Sequence, residues 1–142
     1  MISKTSLQII KALLELADLP EGKAEGVVHI AQKIHAPQNY LGKVLQRLVR
    51  DGLVISKKGL NGGFRLAKMP SEISLYDVVN SLEDVTRWEG CFMGRGTCNG
   101  STPCSVHNRW AKARGAYMKF FKNTSIADLK KETLVPTDEK FT

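Results

Sequence analysis

Two short amphipathic helices separated by a tight break restrict the possible folds of this chain more than any other feature. The first helix is predicted at Val28–Ile34 and the second at Pro37–Asp51. Because Pro37 disfavours helix at the residue before it and suits a first helical turn, the chain is expected to turn sharply at His35-Ala36. The second helix carries its apolar residues at helical spacing on one face: Leu41, Val44, Leu45 and Leu48. That face must pack on other helices, which leaves the opposite face free.

Two strand-like runs, Leu53–Ser56 and Phe64–Ala67, follow the second helix, and the loop between them contains three glycines. A helix, a tight turn, a second helix and a glycine-rich hairpin occur in this order in a winged helix-turn-helix. Another amphipathic helix is predicted before this unit at Thr5–Ala17, and Ser74 and Asp77 have the spacing of a capping box that opens a helix after it. The predicted fold class is therefore mostly α with a small β-hairpin wing.

Positive charge is concentrated in the same part of the chain. The formal net charge is +7, and residues 28–68 contain eight lysines and arginines against one aspartate, so the remaining residues balance. A solvated basic face would have this composition too, but such concentration is typical of a nucleic-acid-binding surface. Together with the helix order and the hairpin, it favours double-stranded DNA as a partner.

The polar face of the second helix provides candidates for DNA recognition. Gln38, Asn39 and Lys43 lie in its N-terminal part, which usually meets base edges, and Gln and Asn can pair with adenine. Residues farther along the helix or in the hairpin are expected to contact phosphates or the minor groove. These are Arg47, Arg50, Lys57, Lys58 and Arg65. Tyr40 is a further candidate for a phosphate contact through its hydroxyl, although packing against the domain explains it equally well.

Every cysteine of the chain lies in one glycine-rich loop, at Cys91, Cys98 and Cys104, and His107 follows. These gaps match neither zinc-finger knuckles nor ferredoxin spacing. They allow three thiolates to converge on something larger than a single ion. Because Pro103 suits a helix start, Cys104 and His107 are predicted on the first turn of a helix at residues 104–123. Cys₃His is a chemically reasonable ligand set for an iron–sulfur cluster. A structural zinc with the same ligands and three inert cysteines are the alternatives, and a catalytic cysteine is disfavoured because the loop supplies no oxyanion site.

The long helix after this loop has an apolar stripe with coiled-coil-like spacing. Its members are Val106, Trp110, Ala113, Tyr117 and Phe120. The stripe predicts a homodimer, with packing on the helix's own domain as the alternative. The chain then divides into a DNA-binding unit (1–84), a cysteine loop (85–105), a dimerisation helix with a short C-terminal helix (106–131) and a loosely ordered tail (132–142).

No run of residues is apolar enough for a membrane span, and Lys4 and Lys11 interrupt the region where a secretory signal would lie. A cytoplasmic location is therefore expected, where thiols stay reduced. Neither a membrane nor a small-molecule substrate is expected as a partner.

The wing sequence GLNGGFRL, followed by three cysteines near residues 91–104, resembles the Rrf2 family of bacterial regulators over residues 1–131. The resemblance implies a homodimer that binds a partly palindromic operator and changes its DNA affinity with the state of an iron–sulfur cluster. In the IscR-like branch, three cysteines and a histidine hold a [2Fe–2S] cluster, and this pattern falls on Cys91, Cys98, Cys104 and His107. The NsrR-like relatives hold a [4Fe–4S] cluster through a carboxylate on the partner's first helix, where this chain has Leu7 or Gln8. The histidine-ligated branch, and hence [2Fe–2S], is favoured.

The first gap between cysteines is six residues here and five in the IscR-like branch, and Gly42 replaces a glutamate that selects operators in that branch. The expected function is a transcriptional regulator, most simply a repressor, that senses redox state, iron–sulfur status or nitric oxide and is not an enzyme. Two alternatives are a DNA-binding regulator with a structural zinc and an electron-transfer or cluster-carrier protein.

Overall fold

The fold is described from a computed structural model, in which residues 2–132 are placed. Within that range the chain forms six α-helices and one two-stranded antiparallel sheet, with 3₁₀ turns at Pro70–Glu72 and Val85–Glu89. In chain order the elements are α1 (Lys4–Ala17), α2 (Val27–Ile34), α3 (Gln38–Arg50), β1 (Val54–Lys57), β2 (Gly63–Leu66), α4 (Leu75–Leu82), α5 (His107–Asn123) and α6 (Ile126–Glu132). The predicted class, mostly α with a small hairpin, is confirmed.

The turn between α2 and α3 forms where the sequence predicted it. His35 caps α2 in the left-handed conformation (φ 54°, ψ 47°), and the Ala36 N–H donates to the Ala31 carbonyl at 2.9 Å. The apolar face of α3 is buried through Leu41, Leu45 and Leu48. Since these leucines pack into a core shared with α1 and α2, the polar face of α3 is directed to solvent.

The hairpin is fixed to the start of the helix-turn-helix by backbone bonds. Ile55 pairs with Arg65 in the β1–β2 register. The range of β1 lies one residue later than the predicted run, and the range of β2 lies one residue earlier. Near the turn, Phe64 of β2 and Glu25 exchange two backbone hydrogen bonds of 2.8 and 2.9 Å. Gly63 adopts φ 136°, and a Cβ there would lie 2.3 Å from the Glu25 carbonyl oxygen. Only glycine therefore permits this close approach.

The C-terminal helices pack on the unit formed by residues 1–84 rather than extending away from it. The predicted capping box forms at Ser74 and Asp77 and opens α4. Beside it, the Leu75 N–H donates to the Thr124 carbonyl at 2.8 Å, and the Ile126 N–H donates to the Ile73 carbonyl at 2.9 Å. Both isoleucines are fully buried. The segments assigned from sequence to residues 1–84 and 106–131 thus share one hydrophobic core.

The predicted start of the long helix at Cys104 is wrong, because α5 begins at His107. Cys104 lies in a turn in which the His107 N–H donates to the Cys104 carbonyl at 3.1 Å. Val106, the residue before the helix, has φ −113° and ψ 14°. Pro103 favours the start of a helix, but the chain forms a separate turn at Cys104 before α5 begins. This turn places the His107 ring next to Cys98 of the loop.

The last predicted unit, a loose tail from residue 132, lies outside the described residues except for Glu132, the final residue of α6. Across residues 2–132, none of the helices combines the length and the apolar character that crossing a membrane requires.

Glu83, after α4, joins the N-terminal end of α1 to the segment that leads into the cysteine loop. Its carboxylate accepts from the Ser6 hydroxyl at 2.6 Å and from the Ser3 backbone N–H at 3.1 Å, and Arg87 donates to it at 2.8 Å. Burial raises the pKa of Glu83, but the hydrogen bonds from Ser6 and Ser3 and the Arg87 charge outweigh burial, so the net pKa lies below its ordinary value. The ionised carboxylate therefore stabilises the fold.

We predict that Glu83→Gln lowers the free energy of unfolding by about 1 kcal/mol near neutral pH, because charge-assisted bonds to Ser3, Ser6 and Arg87 are weakened. A carboxyl whose pKa is depressed by folding stabilises the protein above its unfolded pKa, and this stabilisation is lost as the pH falls through the folded pKa. The difference between the variant and the wild type should therefore shrink in acid. Urea denaturation across acidic and neutral pH measures this difference, with the exposed Glu21→Gln as the control. A difference that stays constant with pH would contradict the role given to the charge.

Candidate nucleic-acid interface and metal centre

The exposed face of α3 carries the residues that the sequence assigned to DNA recognition. Leu41, Leu45 and Leu48 turn inward, and the following polar residues of the helix are all exposed: Gln38, Asn39, Lys43, Arg47 and Arg50. In the hairpin, Lys57 and Lys58 are exposed, whereas Arg65 is half-buried. The two elements thus present one polar, cationic surface, whose relative position is fixed by the backbone bonds between Phe64 and Glu25.

Tyr40 differs from its neighbours on α3 because its hydroxyl is already engaged. The Tyr40 and Thr5 hydroxyl oxygens lie 2.9 Å apart, which ties α3 to α1. The ring remains 49% exposed. Tyr40 therefore contacts its own domain, as the sequence analysis allowed, and a phosphate contact would share this hydroxyl.

Gln46 belongs to the same surface, although the sequence analysis did not select it. It lines a shallow groove on α3 together with Gln38, Asn39, Gly42 and Lys43, closed at one side by Val27 and Phe64. The spacing of Asn39, Lys43 and Gln46 places them on one helical face, and this spacing was the signal that could have identified Gln46.

Lys33, although part of the basic segment, is neutralised within the fold. Its ammonium lies 2.8 Å from the carboxylate of Glu25 and 3.6 Å from that of Glu15. The hydrogen bond that the Lys33 ammonium donates to the Glu25 carboxylate raises the pKa of Lys33 above its ordinary value, against partial desolvation. The positive field of the surface therefore comes from α3 and the hairpin, not from Lys33.

The cysteine loop is a small ordered hairpin rather than a loose segment. The Cys91 N–H donates to the Gly96 carbonyl at 2.7 Å, and the Cys98 N–H donates to the Glu89 carbonyl at 3.0 Å. Gly94 and Gly96 adopt φ 73° and 87°, which side chains disfavour, and so allow the tight reversal. Glycine thus serves here to build a turn, not to leave the loop flexible.

This hairpin is held against the first turns of α5. The Trp110 indole N–H donates to the Gly90 carbonyl at 2.9 Å, and the Arg114 guanidinium donates to the Glu89 carbonyl at 3.0 Å. The Phe92 and Trp110 rings also pack with their centroids 5.6 Å apart. A change in the shape of the loop would therefore act directly on α5.

The four predicted ligands lie in two neighbouring pairs. The Cys98 sulfur is 3.4 Å from the Nδ1 atom of His107, and the Cys104 side chain is near enough to Cys91 to lower the pKa of its thiol. All three cysteines are free thiols and half-buried. Among residues 2–132, no three His, Cys, Asp or Glu side chains converge closely enough to hold a single metal ion.

The surroundings of Cys91 favour its thiolate. Backbone N–H groups of Arg95 and Met93 donate to the sulfur, and the Cys104 side chain and the Arg95 charge act in the same direction. Together they lower the pKa of Cys91, although partial desolvation opposes them. Because the thiolate is the form that binds metal, this end of the loop is prepared for a ligand role.

The residues of the predicted dimer stripe are divided between two directions. Trp110 contacts the cysteine loop, and Tyr117 packs on Trp88 and Phe121 of its own chain with ring centroids 5.0 and 4.8 Å apart. Val106 precedes the helix and is half-buried. Ala113 and Phe120 are the stripe positions that remain exposed, Phe120 at 54%.

Comparisons with known proteins agree with this geometry. A model of the Rrf2 family, described as "Iron-dependent Transcriptional regulator", matches residues 2–132. The chain is 34% identical over 131 residues to an HTH-type transcriptional regulator of Aquifex aeolicus, covering 91% of this chain and 90% of that protein. It is also 34% identical over 121 residues to the HTH-type transcriptional regulator NsrR of Shouchella clausii, covering 84% and 81%.

Solved structures give the same fold. CymR, the global cysteine regulator of B. subtilis, has a TM-score of 0.76 at 24% identity, with 93% of this chain and 97% of that chain covered. IscR of T. potens has a TM-score of 0.73 at 21% identity, with 99% and 94% covered. The family match over residues 2–132 and the two relatives at 34% identity establish that the chain belongs to the Rrf2 family of transcriptional regulators.

Proposed function

We propose that this protein is a homodimeric, DNA-binding transcriptional repressor whose cysteine loop holds an iron–sulfur cluster and senses redox state, iron–sulfur status or nitric oxide. The observation that carries the proposal is that the loop containing Cys91, Cys98 and Cys104 is bonded directly to α5 through Trp110 and Arg114. Cluster ligands and a long helix are therefore mechanically joined, in a chain whose α3 presents a cationic polar face.

The donor set fits an iron–sulfur cluster. Three half-buried free thiols and one imidazole are soft ligands suited to iron–sulfur chemistry. The two pairs, Cys98 with His107 and Cys91 with Cys104, suit a centre with two metal positions. A bound cluster would supply a centre that reacts with oxidants and nitric oxide, and we assign Cys91, Cys98, Cys104 and His107 to hold it, most simply as [2Fe–2S].

A structural zinc is the less favoured alternative. A zinc ion needs four donor atoms around one point, at about 2.0–2.3 Å. The described part of the chain contains no group of three or more suitable donors around one point. The loop also has backbone bonds of its own, such as that from the Cys98 N–H to the Glu89 carbonyl, that would support its shape beside a metal.

An electron-transfer or cluster-carrier protein would explain the loop but not the rest of the surface. Such a protein needs a basic patch only for contact with an acidic partner. Here the cations accompany exposed Gln38, Asn39 and Gln46 on one helix, and amides of this kind read base edges. The combination supports DNA recognition.

The proposed dimer would pair the two copies of α5 through the exposed part of its stripe, around Ala113 and Phe120. A twofold axis along α5 would place the two α3 helices at half-sites about one helical turn apart, or a multiple of it. A partly palindromic operator follows from this symmetry.

Two sets of contacts connect the loop to the DNA-binding surface. Trp110 and Arg114 bind the loop to α5, and Arg87 with Glu83 connects the segment before the loop to Ser3 and Ser6 of α1. In turn, α1 supports α3 through the contact between Thr5 and Tyr40. We infer that a change in the loop alters both the spacing of the two α3 helices and the support beneath each of them.

We predict that Cys98→Ser abolishes the visible absorption and the EPR signal of the reduced protein after anaerobic reconstitution, while far-ultraviolet circular dichroism stays unchanged. The reason is that the variant loses one ligand of the centre but keeps the backbone bonds of the loop. Ser105→Ala, a neighbouring exposed position, is the matched control and should retain the chromophore.

His107→Ala is expected to retain a weaker and less stable chromophore, since three thiolates remain. A colourless wild-type protein that contains one zinc per chain after reconstitution would contradict the cluster assignment. Unfolding of Cys98→Ser would support a structural zinc instead.

We also predict different effects from two kinds of change on α3. Asn39→Ala should weaken binding to an operator selected from randomised duplexes by about 1–3 kcal/mol and relax the sequence preference at one base pair. Arg47→Ala should weaken binding to all sequences and reduce the salt dependence by about one phosphate contact. Fluorescence anisotropy at several salt concentrations measures both effects, and Lys11→Ala on α1 is the charge-matched control for Arg47→Ala. If Asn39→Ala lost the same affinity for selected and for random DNA, Asn39 would not be a base-recognition residue.

A further inference from the structure

Leu60, at the tip of the hairpin, is unusually exposed for an apolar residue. Its side chain is 93% accessible, whereas Met69 and Phe92, the next among the described exposed large hydrophobic residues, reach 65% and 64%. Hairpin tips normally carry polar residues or glycine, which have no apolar surface to lose to water. A leucine in this place gains only if it is buried against a partner.

The turn that carries Leu60 is well defined. The Gly62 N–H donates to the Gly59 carbonyl at 2.9 Å, and Asn61 has φ 62°. This geometry is that of a type II turn, in which Leu60 occupies the first central position. A Cβ at Gly62 would lie 2.4 Å from the Lys57 carbonyl oxygen, so glycine is required for the chain to close so tightly. Leu60 is thus presented on a compact turn and does not fold back onto the hairpin.

The hairpin below the tip is fixed relative to the recognition surface. The paired backbone bonds between Phe64 and Glu25 hold β2 beside the N-terminal end of α2. Since α2 packs on α3, the distance between Leu60 and the polar face of α3 is set by the fold. Little conformational entropy would be lost when the tip is buried against a partner.

The charge around Leu60 identifies the kind of surface that would bury it. Lys57, Lys58 and Arg65 are in the hairpin, and residues 52–71 contain no aspartate or glutamate. The partner should therefore be strongly anionic at its rim and apolar within a narrow crevice. The minor groove of DNA has this structure, because phosphates line its edges while sugars and base edges form its interior.

We propose that Leu60 is an apolar wedge that enters the minor groove beside the segment contacted by α3 and partly unstacks one base step. The inference rests on the proposed DNA-binding function and adds a specificity-determining residue to it. Because pyrimidine–purine steps unstack most readily, Leu60 would favour such a step at a position where α3 makes no base contact. The DNA would bend toward the major groove.

Leu60→Ala tests the proposal on a duplex selected by the full-length wild-type protein from randomised DNA. Affinity is measured by anisotropy, bending by energy transfer between dyes at the duplex ends, and unstacking by the fluorescence of 2-aminopurine placed at successive steps. We expect binding about tenfold weaker, since most of the buried leucine side chain is lost. We also expect a smaller bend and loss of the 2-aminopurine signal at one step.

Two further variants separate the wedge from other effects. Leu60→Met keeps an apolar side chain of similar length and should retain the wild-type affinity and bend. Met69→Ala removes an exposed apolar side chain outside the hairpin and should change neither the affinity nor the bend. Because Leu60 and Met69 are both exposed, thermal unfolding should be unchanged in all three variants. This measurement checks that the variants fold.

The outcomes distinguish the inference from the proposed function. If the wild type selects no sequence, the DNA-binding proposal itself fails. If the wild type selects a sequence but Leu60→Ala binds and bends it equally well, the wedge is overturned and the function stands. A weaker Leu60→Ala complex with no 2-aminopurine signal in the wild type would also overturn insertion, because it would indicate a surface contact. A change in sedimentation without a change in DNA binding would assign Leu60 to a protein contact instead.

Discussion

The hydrogen bond from the Trp110 indole N–H to the Gly90 carbonyl joins α5 to the loop that contains the three cysteines. It is 2.9 Å long and is accompanied by the bond from Arg114 to Glu89 and by ring packing between Phe92 and Trp110. Without these contacts, the loop that carries the three cysteines would be connected to α5 only by the chain and by the contact between Cys98 and His107. With them, the position of α5 and the shape of the loop depend on one another.

The same helix is anchored at its other end in the core of the DNA-binding unit. Phe121 is buried against Trp88 and Tyr117, and the chain after α5 pairs with the start of α4 through Leu75 and Thr124. Burial and the charge of Glu83 raise the pKa of Tyr117, and the charge of Arg87 opposes them. The aromatic cluster of Trp88, Tyr117 and Phe121 therefore packs α5 against the segment that leads into the cysteine loop.

Local physics explains why the winged helix could be predicted from the sequence. The leucine spacing of α3, the break at Pro37 and the capping box of Ser74 and Asp77 each determine a structure within a few residues, and all three formed. The start of α5 was mispredicted for a non-local reason. Pro103 favours a helical turn, but the turn at Cys104 brings the His107 ring to within 3.4 Å of the Cys98 sulfur.

Contacts between distant residues also limited the prediction of the site. The apolar spacing of α5 is compatible with a dimer seam, yet Trp110 and Tyr117 contact partners about twenty to thirty residues away in their own chain. Helical periodicity shows which residues share a face but not what covers it. For the same reason the glycine content of the cysteine loop did not reveal the backbone bonds at Cys91 and Cys98 that order it.

The most direct test of the coupling between loop and DNA surface is the affinity of one preparation for one selected duplex, measured anaerobically before and after the proposed cluster is removed. If the loop and the α3 surface are linked as proposed, the two dissociation constants should differ by about tenfold or more, within the range usual for coupled sites. In Trp110→Phe, which keeps the ring but loses the bond to Gly90, that ratio should fall toward one. Equal affinities for the two forms of the wild type would contradict the coupling.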